Sequence, residues 1–381
     1  MNNYHYKYLK YKSKYIDLKK FIQHGSANNQ FAHTNNILCM SIFNNLEGAS
    51  KIFSPIGITF TMGLIYLATT ASANQELYDL FNYRYNLPEL NNIYHLFNND
   101  IITLTTVFII NNQTLKGDYL DNVGELVLFF NEDFNNGESI KQKINNRLET
   151  ITDGMLKNTI LDKEIDTNVV FIIVNTITLR IKWLYEFDVN NTIRMMFQKT
   201  NMVDMMHQLN KFHYYENELL QFIEIPFSDT DYTMGIILPI YKEENNLINT
   251  PYNIPKFTVA DINNLIAKME YNIVDLYLPK FHHNKNIKLA PILQKIGINK
   301  IFDKAGSPLN IISKNIHINE IIHEVIITVN EVGITTAPKT IIDAQQRPGP
   351  EKIFKADHVF IYYIRHLPTN IILFFGDYQG N

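Results

Sequence analysis

The residues most suited to metal binding or acid–base chemistry lie in one short stretch. His317, Glu320, His323 and Glu324 follow one another closely enough to be considered as metal ligands. On a strand, however, side chains alternate between faces, so the two histidines share one face and the two glutamates the other. The spacing therefore favours structural histidines, and we predict no metal site.

The sequence also lacks the motifs of the common enzyme classes. It contains no G-x-S-x-G, no phosphate-binding G-x-x-x-x-G-K-[ST], no dinucleotide-binding G-x-G-x-x-G and no H-E-x-x-H. We therefore expect no catalytic residue, no cofactor and no small-molecule substrate.

Composition narrows the class of protein further. The chain has 381 residues, of which 46% are hydrophobic and 19% charged, so a large buried core is possible. Its net charge of −4 argues against a nucleic-acid binder. The single cysteine, Cys39, excludes an intrachain disulfide framework. With no signal-peptide pattern either, we expect an intracellular protein, the alternative being the virion or the extracellular space by non-standard release.

The first 33 residues differ from the rest and are predicted to form a basic leader (1–22) and a linker (23–33). Residues 1–22 contain six lysines and one aspartate. Four tyrosines recur at spacings of 4, 3 and 4, which places them on one helix face: Tyr4, Tyr8, Tyr11 and Tyr15. The leader is interpreted as a docking helix for an acidic partner, a membrane surface or a virion, the alternative being a solvated tail.

Residues 34–381 contain helical patterns early and strand patterns late. Helices are predicted over 34–45, from Ser54-Pro55 onward, and over 139–150. Strands are predicted at 101–110, 168–179, 220–226, 232–238, 273–278, 321–329 and 360–375. Because there is no regular βαβ alternation, the predicted class is α+β with large mixed or antiparallel sheets.

One segment between two predicted strands is unusually long for a connection. It runs from Glu331 to Lys352, and loops of this length in compact domains are usually functional. Its first half is rich in isoleucine and threonine and could form a strand, whereas its second half, 345–350, is polar and turn-prone. A segment that can be either an exposed loop or a buried strand is what a conformational trap requires.

Motifs throughout residues 34–381 resemble the serpin family of serine protease inhibitors. In chain order they are Ile52-Phe53-Ser54-Pro55; Asn145 with Thr152-x-Gly154; Val174-Asn175 with Trp183 and Phe187; Leu278-Pro279-Lys280-Phe281; Leu293, Gly297 and Phe302; His323 with Glu331-Val332-Gly333; and Phe354-Lys355-Ala356-Asp357-His358 followed by Phe360, Ile364-Arg365 and 372–376. The leader in turn is similar to the Tyr/Lys-rich leaders of giant-virus proteins, which indicates a viral serpin-like protein.

The resemblance implies a fold and a mechanism. The fold would have three mixed or antiparallel sheets, eight or nine helices and an exposed reactive-centre loop at about 331–353, here called the bait loop. A protease that cleaves the bait would be held as an acyl-enzyme while the freed loop inserts into the main sheet and distorts the protease. Loop insertion of this kind in serpins is a known example of stored strain being released.

The resemblance also assigns residues to two polar sites. Ser54, Asn175 and His323 fall on the buried cluster beneath the sheet that parts during insertion, here called the shutter. The family usually has a further serine where this chain has Gly57, which implies a thinner network. Glu331 and Lys280 fall on the positions of an ion pair at the top of the sheet.

The reactive bond is placed by counting seventeen residues from Glu331. The count ends at Arg347, so the predicted bond is Arg347–Pro348, and Gln346–Arg347 is the alternative. Arginine would direct the loop to the acidic specificity pocket of trypsin-like serine proteases. Pro348 departs from the family pattern, because a proline after arginine makes a poor substrate.

The hinge, the part of the loop that would insert first, is assigned to Glu331, Gly333, Ile334, Thr336, Ala337 and Pro338. Ile334 and Thr336 can point inward on an inserted strand. Pro338 departs from the pattern, since in a central strand it lacks a hydrogen-bond donor and costs about 1–3 kcal/mol.

Two functions remain open at this point. The first is inhibition of a trypsin-like serine protease through the bait loop, with the inhibitor acting as a suicide substrate and not as an enzyme. The alternative is a non-inhibitory serpin-fold protein that binds partners through the loop or the leader.

Overall fold

The computed structural model of the protein describes residues 27–48, 50–152, 154, 157–160, 168–198, 200–240, 256–314, 316–334 and 349–380. The predicted leader, residues 1–22, lies outside the described residues. So do the central positions of the bait loop, 335–348.

Eight α-helices occur in the described residues, within the predicted eight or nine. They are α1 (Ala27–Asn45), α2 (Pro55–Ala68), α3 (Ala71–Phe81), α4 (Leu87–Phe97), α5 (Gly117–Val123), α6 (Gly137–Ile151), α7 (Val259–Ile266) and α8 (Ala290–Lys295). Helix α2 begins as predicted: Ser54 precedes it and accepts a hydrogen bond from the Gly57 amide, and Pro55 is its first residue.

The described residues also contain sixteen strands and three short 3-10 helices. The first eight are β1 (Ile52–Phe53), β2 (Ile102–Asn111), β3 (Leu128–Glu132), β4 (Phe171–Leu179), β5 (Ile181–Lys182), β6 (Ile193–Phe197), β7 (Asn201–Glu216) and β8 (Leu220–Pro226). The others are β9 (Tyr232–Pro239), β10 (Glu270–Pro279), β11 (Phe281–Lys288), β12 (Glu320–Val329), β13 (Gly333–Ile334), β14 (Lys352–Lys355), β15 (Phe360–His366) and β16 (Ile371–Tyr378).

The strands form two sheets, and helices and other strands pack against each sheet. This arrangement confirms the α+β class. A seven-stranded sheet has the order β3-β2-β4-β12-β13-β5, with β11 on the other side of β12. A nine-stranded sheet has the order β1-β16-β15-β9-β8-β7-β10-β14, with β6 added to β7.

The three expected mixed or antiparallel sheets are joined into two in the described residues. The long strand β7 pairs with β10 from Met205 to Tyr214, with β6 near its start and with β8 near its end. Because one strand takes part in all three pairings, two expected sheets are joined into one.

The C-terminal run predicted as a single strand over 360–375 is a hairpin. Strands β15 and β16 pair antiparallel, from Phe360 opposite Tyr378 to His366 opposite Ile371. The turn between them contains Pro368 and Asn370, and Asn370 has a positive φ of 55°. Turn residues, not a change in hydrophobicity, divide the run.

The predicted linker over 23–33 was also wrong where the structure describes it. Helix α1 begins at Ala27, seven residues before the predicted start at 34. Phe31 is completely buried and contacts Tyr83 and Tyr85 edge-to-face at 6.3 and 6.4 Å between ring centroids. The linker prediction rested on the polar composition around a single aromatic residue, whose burial depends on a distant segment.

We expect Phe31→Ala to destabilise the protein by about 3–5 kcal/mol, because it removes a fully buried aromatic ring. The matched control is Ile37→Ala on the same helix, where the side chain is 36% exposed and the loss should stay below about 1 kcal/mol. Urea unfolding followed by circular dichroism measures both. Equal shifts for the two variants would show that residues 27–33 do not belong to the core.

Candidate functional site

The centre of the seven-stranded sheet is a parallel pairing between β4 and β12, here called the seam. It comprises six residue pairs, from Ile172 opposite Glu320 to Ile177 opposite Val325. Beyond Val325, β12 continues to Val329, where it pairs with Ile334 of β13. A strand that extends β13 along β12 can enter this sheet only by separating the seam.

The start of the bait loop already lies between two strands at the top of this sheet. In β13, Ile334 pairs antiparallel with Val329 of β12 and with Ile181 of β5. Gly333 has a φ of +151°, and a Cβ there would lie 2.2 Å from the carbonyl oxygen of Ile181. Only glycine therefore allows the loop to turn into this position.

A tight turn at Asn330 directs the chain into β13. The Asn330 side-chain oxygen accepts from the amide of Val332 at 3.0 Å. The backbone carbonyl of Asn330 accepts from the Trp183 indole N–H at 2.8 Å. The Trp183 amide also donates to the Val332 carbonyl at 2.9 Å. Trp183 is held in turn by stacking on Phe227, with ring centroids 4.7 Å apart. The sequence interpretation assigned no role to Asn330, because an asparagine in a loop is by itself uninformative.

The structure brings Glu331 and Lys280 together at this turn. Lys280 Nζ lies 3.1 Å from Glu331 Oε1, and the Glu331 side chain is almost fully buried. Thr192 Oγ1 donates to the same carboxylate oxygen at 2.9 Å. No sequence signal could have found Thr192, since it lies 139 residues from Glu331. A partly buried, hydrogen-bonded ion pair of this kind holds the turn more firmly than an exposed pair would.

The three shutter residues also meet, beneath the seam. His323 is fully buried on β12, and its Nε2 accepts from the Ser54 amide at 2.9 Å. Its Nδ1 therefore carries the proton and donates to Asn175 Oδ1 at 2.9 Å. The Asn175 amide donates onward to Thr106 Oγ1 on β2 at 3.1 Å. Because His323 and Asn175 are themselves opposite one another in the seam, this chain of bonds joins β12 to β4 and β4 to β2.

Burial determines the charge state of the shutter histidine. It lowers the pKa of His323 to about 3, so the imidazole is neutral at physiological pH. A neutral ring with one donor and one acceptor matches the two partners that surround it. The gating role of the shutter remains a prediction.

The space that the family usually fills with serine is closed here by Asn175. A Cβ on Gly57 would lie 2.4 Å from Asn175 Oδ1. The thinner network expected at Gly57 is thus accompanied by a close approach of the asparagine to the backbone of α2.

Helix α6 covers the seam from the face opposite the shutter. Ile144 and Leu148 of α6 belong to one buried cluster with Ile172 and Val174 of β4 and Ile322 of β12. The helix is fastened to the chain that follows it by paired bonds between the Asn145 amide and the backbone of Ile160, both 2.9 Å. Separation of the seam must therefore disturb α6.

The two described ends of the bait loop belong to different sheets. Ile334 ends in the seven-stranded sheet, whereas β14 pairs parallel with β10 in the nine-stranded sheet, from Lys352 opposite Val274 to Lys355 opposite Tyr277. The remaining predicted hinge and reactive residues lie outside the described residues: Thr336, Ala337, Pro338, Gln346, Arg347 and Pro348.

Neither a metal-ligand cluster nor a membrane-spanning helix is found in the described residues. No three His, Cys, Asp or Glu side chains of that part come close enough to hold an ion. None of its helices is long and apolar enough to cross a bilayer.

The sheet, shutter and hinge together define a serpin fold, and comparison with known proteins shows the family. The sequence profile of the family described as Serpin (serine protease inhibitor) matches residues 33–379, so the chain belongs to the serpin family. That family consists largely of protease inhibitors and includes non-inhibitory members.

Individual relatives agree with this assignment. An uncharacterized serpin-like protein of Acanthamoeba polyphaga mimivirus is 39% identical over 99% of this chain and 100% of its own length, and it supports the predicted viral character. An uncharacterized serpin-like protein of Methanosarcina mazei is 28% identical over 92% of this chain and 86% of its own.

Solved structures show the same fold at low identity. Native protease nexin-1 with heparin has a TM-score of 0.80 and 23% identity, covering 92% of this chain and 99% of its own. Uncleaved ovalbumin has a TM-score of 0.76 and 21% identity, covering 91% and 98%.

We expect Gly57→Ala to destabilise the protein by about 1–3 kcal/mol, because the new methyl group displaces Asn175 from His323. The matched control is Gly117→Ala at the start of α5, where the nearest atom to a Cβ is 3.8 Å away. There alanine should be neutral or stabilising by up to about 1 kcal/mol. Thermal and urea unfolding compare the two, and a neutral Gly57→Ala would contradict the close contact with Asn175.

The shutter histidine should also make stability depend on pH. Its folded-state pKa of about 3 lies below the unfolded value of about 6.5, so the folded protein binds fewer protons. The stability that His323 contributes is complete above about pH 6.5 and declines as the pH falls toward about 3.

The pH dependence is measured by comparing the native protein with His323→Gln. The difference in unfolding free energy between them should be about 2 kcal/mol smaller at about pH 5 than at about pH 7.5. Urea titrations of both proteins at both pH values provide the four free energies needed. The titration of all other groups is common to the two proteins and cancels in the comparison. A difference that does not change with pH would mean that His323 is not buried as a neutral ring.

Proposed function

We propose that this protein inhibits trypsin-like serine proteases as a suicide substrate, with residues 331–353 as the bait. The observation that carries the proposal is the position of β13. Gly333 and Ile334 of the loop already pair antiparallel with β5, and Ile334 also pairs with β12, in the orientation that an inserted strand would have.

The energetics of insertion favour the inserted state. Opening the seam breaks one parallel ladder of six residue pairs, whereas an inserted strand forms an antiparallel ladder on each side. Each net backbone hydrogen bond contributes about 0.5–1.5 kcal/mol, so the exchange is favourable. The uncleaved form is then maintained by a kinetic barrier, to which the seam, the shutter and α6 contribute.

Sequence determines the proposed target class. Arg347 would enter an acidic specificity pocket, and Arg347–Pro348 is the proposed reactive bond, with Gln346–Arg347 as the alternative. The two prolines that depart from the family pattern act against inhibition. Pro348 slows acylation, and Pro338 slows insertion because it lacks a backbone hydrogen-bond donor. If insertion is slower than deacylation, the protein becomes a substrate.

Incubation with trypsin followed by a denaturing gel tests the proposal. We expect a band at the summed mass that survives denaturation, and its loss in Arg347→Ala. A loop that is only nicked, with no covalent complex and no gain in thermal stability on cleavage, would instead support the non-inhibitory binding protein.

The same assay with a glycine pair tests the hinge. Gly333→Ala places a methyl group against the Ile181 carbonyl, so early pairing of the loop is lost and more inhibitor should be consumed as substrate for each protease trapped. Gly349→Ala at the other end of the loop is the control, since a Cβ there meets nothing within 4 Å. Equal stoichiometries for both variants would exclude β13 as the point of entry.

A further inference from the structure

Exposed apolar side chains are concentrated in one part of this molecule. The described residues contain 15 large apolar side chains that are exposed, and six of them lie between positions 184 and 202. They are Leu184, Tyr185, Val189, Ile193, Met196 and Met202. Five of the eleven methionines of the chain also fall within residues 195–206. Methionine is common at adaptable binding surfaces because its side chain is flexible and polarizable.

The centre of this region is the edge strand β6. Within the part of the chain that the structure describes, β7 is the only strand paired with it. Met196 and Met202 lie directly opposite one another across this pair and are 57% and 49% exposed. An apolar edge without lysine, proline or a bulge can accept a further strand.

The surface of the β6–β7 pair is electrically neutral. Arg194 and Asp204 are opposite one another on the same face as Met196 and Met202, with Arg194 Nη1 3.3 Å from Asp204 Oδ1. The two charges compensate each other, so the surface suits an apolar segment more than a strongly charged one.

Strand β6 also lies between contacts to the start of the bait loop and to the segment that follows it. Just before it, Thr192 donates to Glu331 at the start of the loop. Just after it, the Gln198 amide donates to the Asp357 carbonyl at 2.8 Å, beyond the end of β14. Because the segments on both sides of the loop contact the two ends of β6, a protease that binds the bait would approach close to this strand.

We propose that β6 with Met196 and Met202 is a second contact site for the attacking protease, which adds an extended apolar segment to the free edge. The inference rests on the proposed inhibitory function. The site would speed the encounter of the two proteins and would have no part in loop insertion.

The test uses a double substitution that removes the apolar surface but keeps the hairpin. Met196→Glu with Met202→Lys places opposite charges across the strand pair, which supports the pairing and leaves the net charge unchanged. Met196→Leu with Met202→Leu is the control that retains an apolar face. Thermal unfolding of both variants should match that of the native protein, since the replaced side chains are exposed.

The measurement is the association rate with the member of a panel of trypsin-like proteases that the native protein traps fastest. We expect the charged variant to associate about tenfold more slowly, with an unchanged stoichiometry of inhibition, and the leucine variant to match the native protein.

The outcomes separate this site from the inhibitory function. Covalent trapping at an equal rate by the charged variant overturns the contact site and leaves the inhibitor intact. A slower rate with a raised stoichiometry overturns it too, because the hairpin would then act on insertion. A third outcome is that the native protein is a dimer, that the charged variant is a monomer, and that the association rate with the protease is unchanged. This outcome would overturn the contact site and assign the edge to a second copy of the chain. No trapping by any protease overturns both proposals.

Discussion

The proposed function depends on one short parallel pairing, the seam between β4 and β12. Six residue pairs join β4 to β12 in the middle of the seven-stranded sheet. Parallel pairing is slightly less stable per residue than antiparallel pairing. An antiparallel strand supplied by the loop would therefore be the more stable partner for either strand, and the proposed function requires that a barrier to opening the sheet keep the two states apart.

Buried polar groups hold the seam together on one side of the sheet, and α6 covers it on the other. The bonds from Ser54 through His323 to Asn175 satisfy every ring nitrogen of the histidine. In a buried environment, breaking such bonds without replacement costs free energy. Re-forming them after the strands move would recover that free energy. On the opposite face, Ile144 and Leu148 seal the same seam with apolar contacts.

Much of the fold could be predicted because it is local. Runs of β-branched residues predicted β8 at its observed bounds, 220–226, and predicted β12 to within a residue. Ser54 and Pro55 predicted the start of α2. Strand β7 was not predicted, because its side chains do not alternate regularly between apolar and polar. The adjacent buried residues Met205 and Met206 break the alternation, and polar residues follow toward the end of the strand.

The amino-acid order alone determined the start of α2, the centres of several long strands and the absence of common enzyme motifs, and the resemblance to the serpin family singled out Ser54, Asn175, His323, Glu331 and Lys280. These depend on side-chain type and on spacing along the chain. Only the tertiary structure decided that β7 joins two sheets, that Phe31 is core, that Thr192 shares the Glu331 carboxylate, and that β6 is an edge strand among the described residues. Each of these is a contact between segments far apart in sequence, and such contacts arise from the packing of whole elements, which no local pattern records.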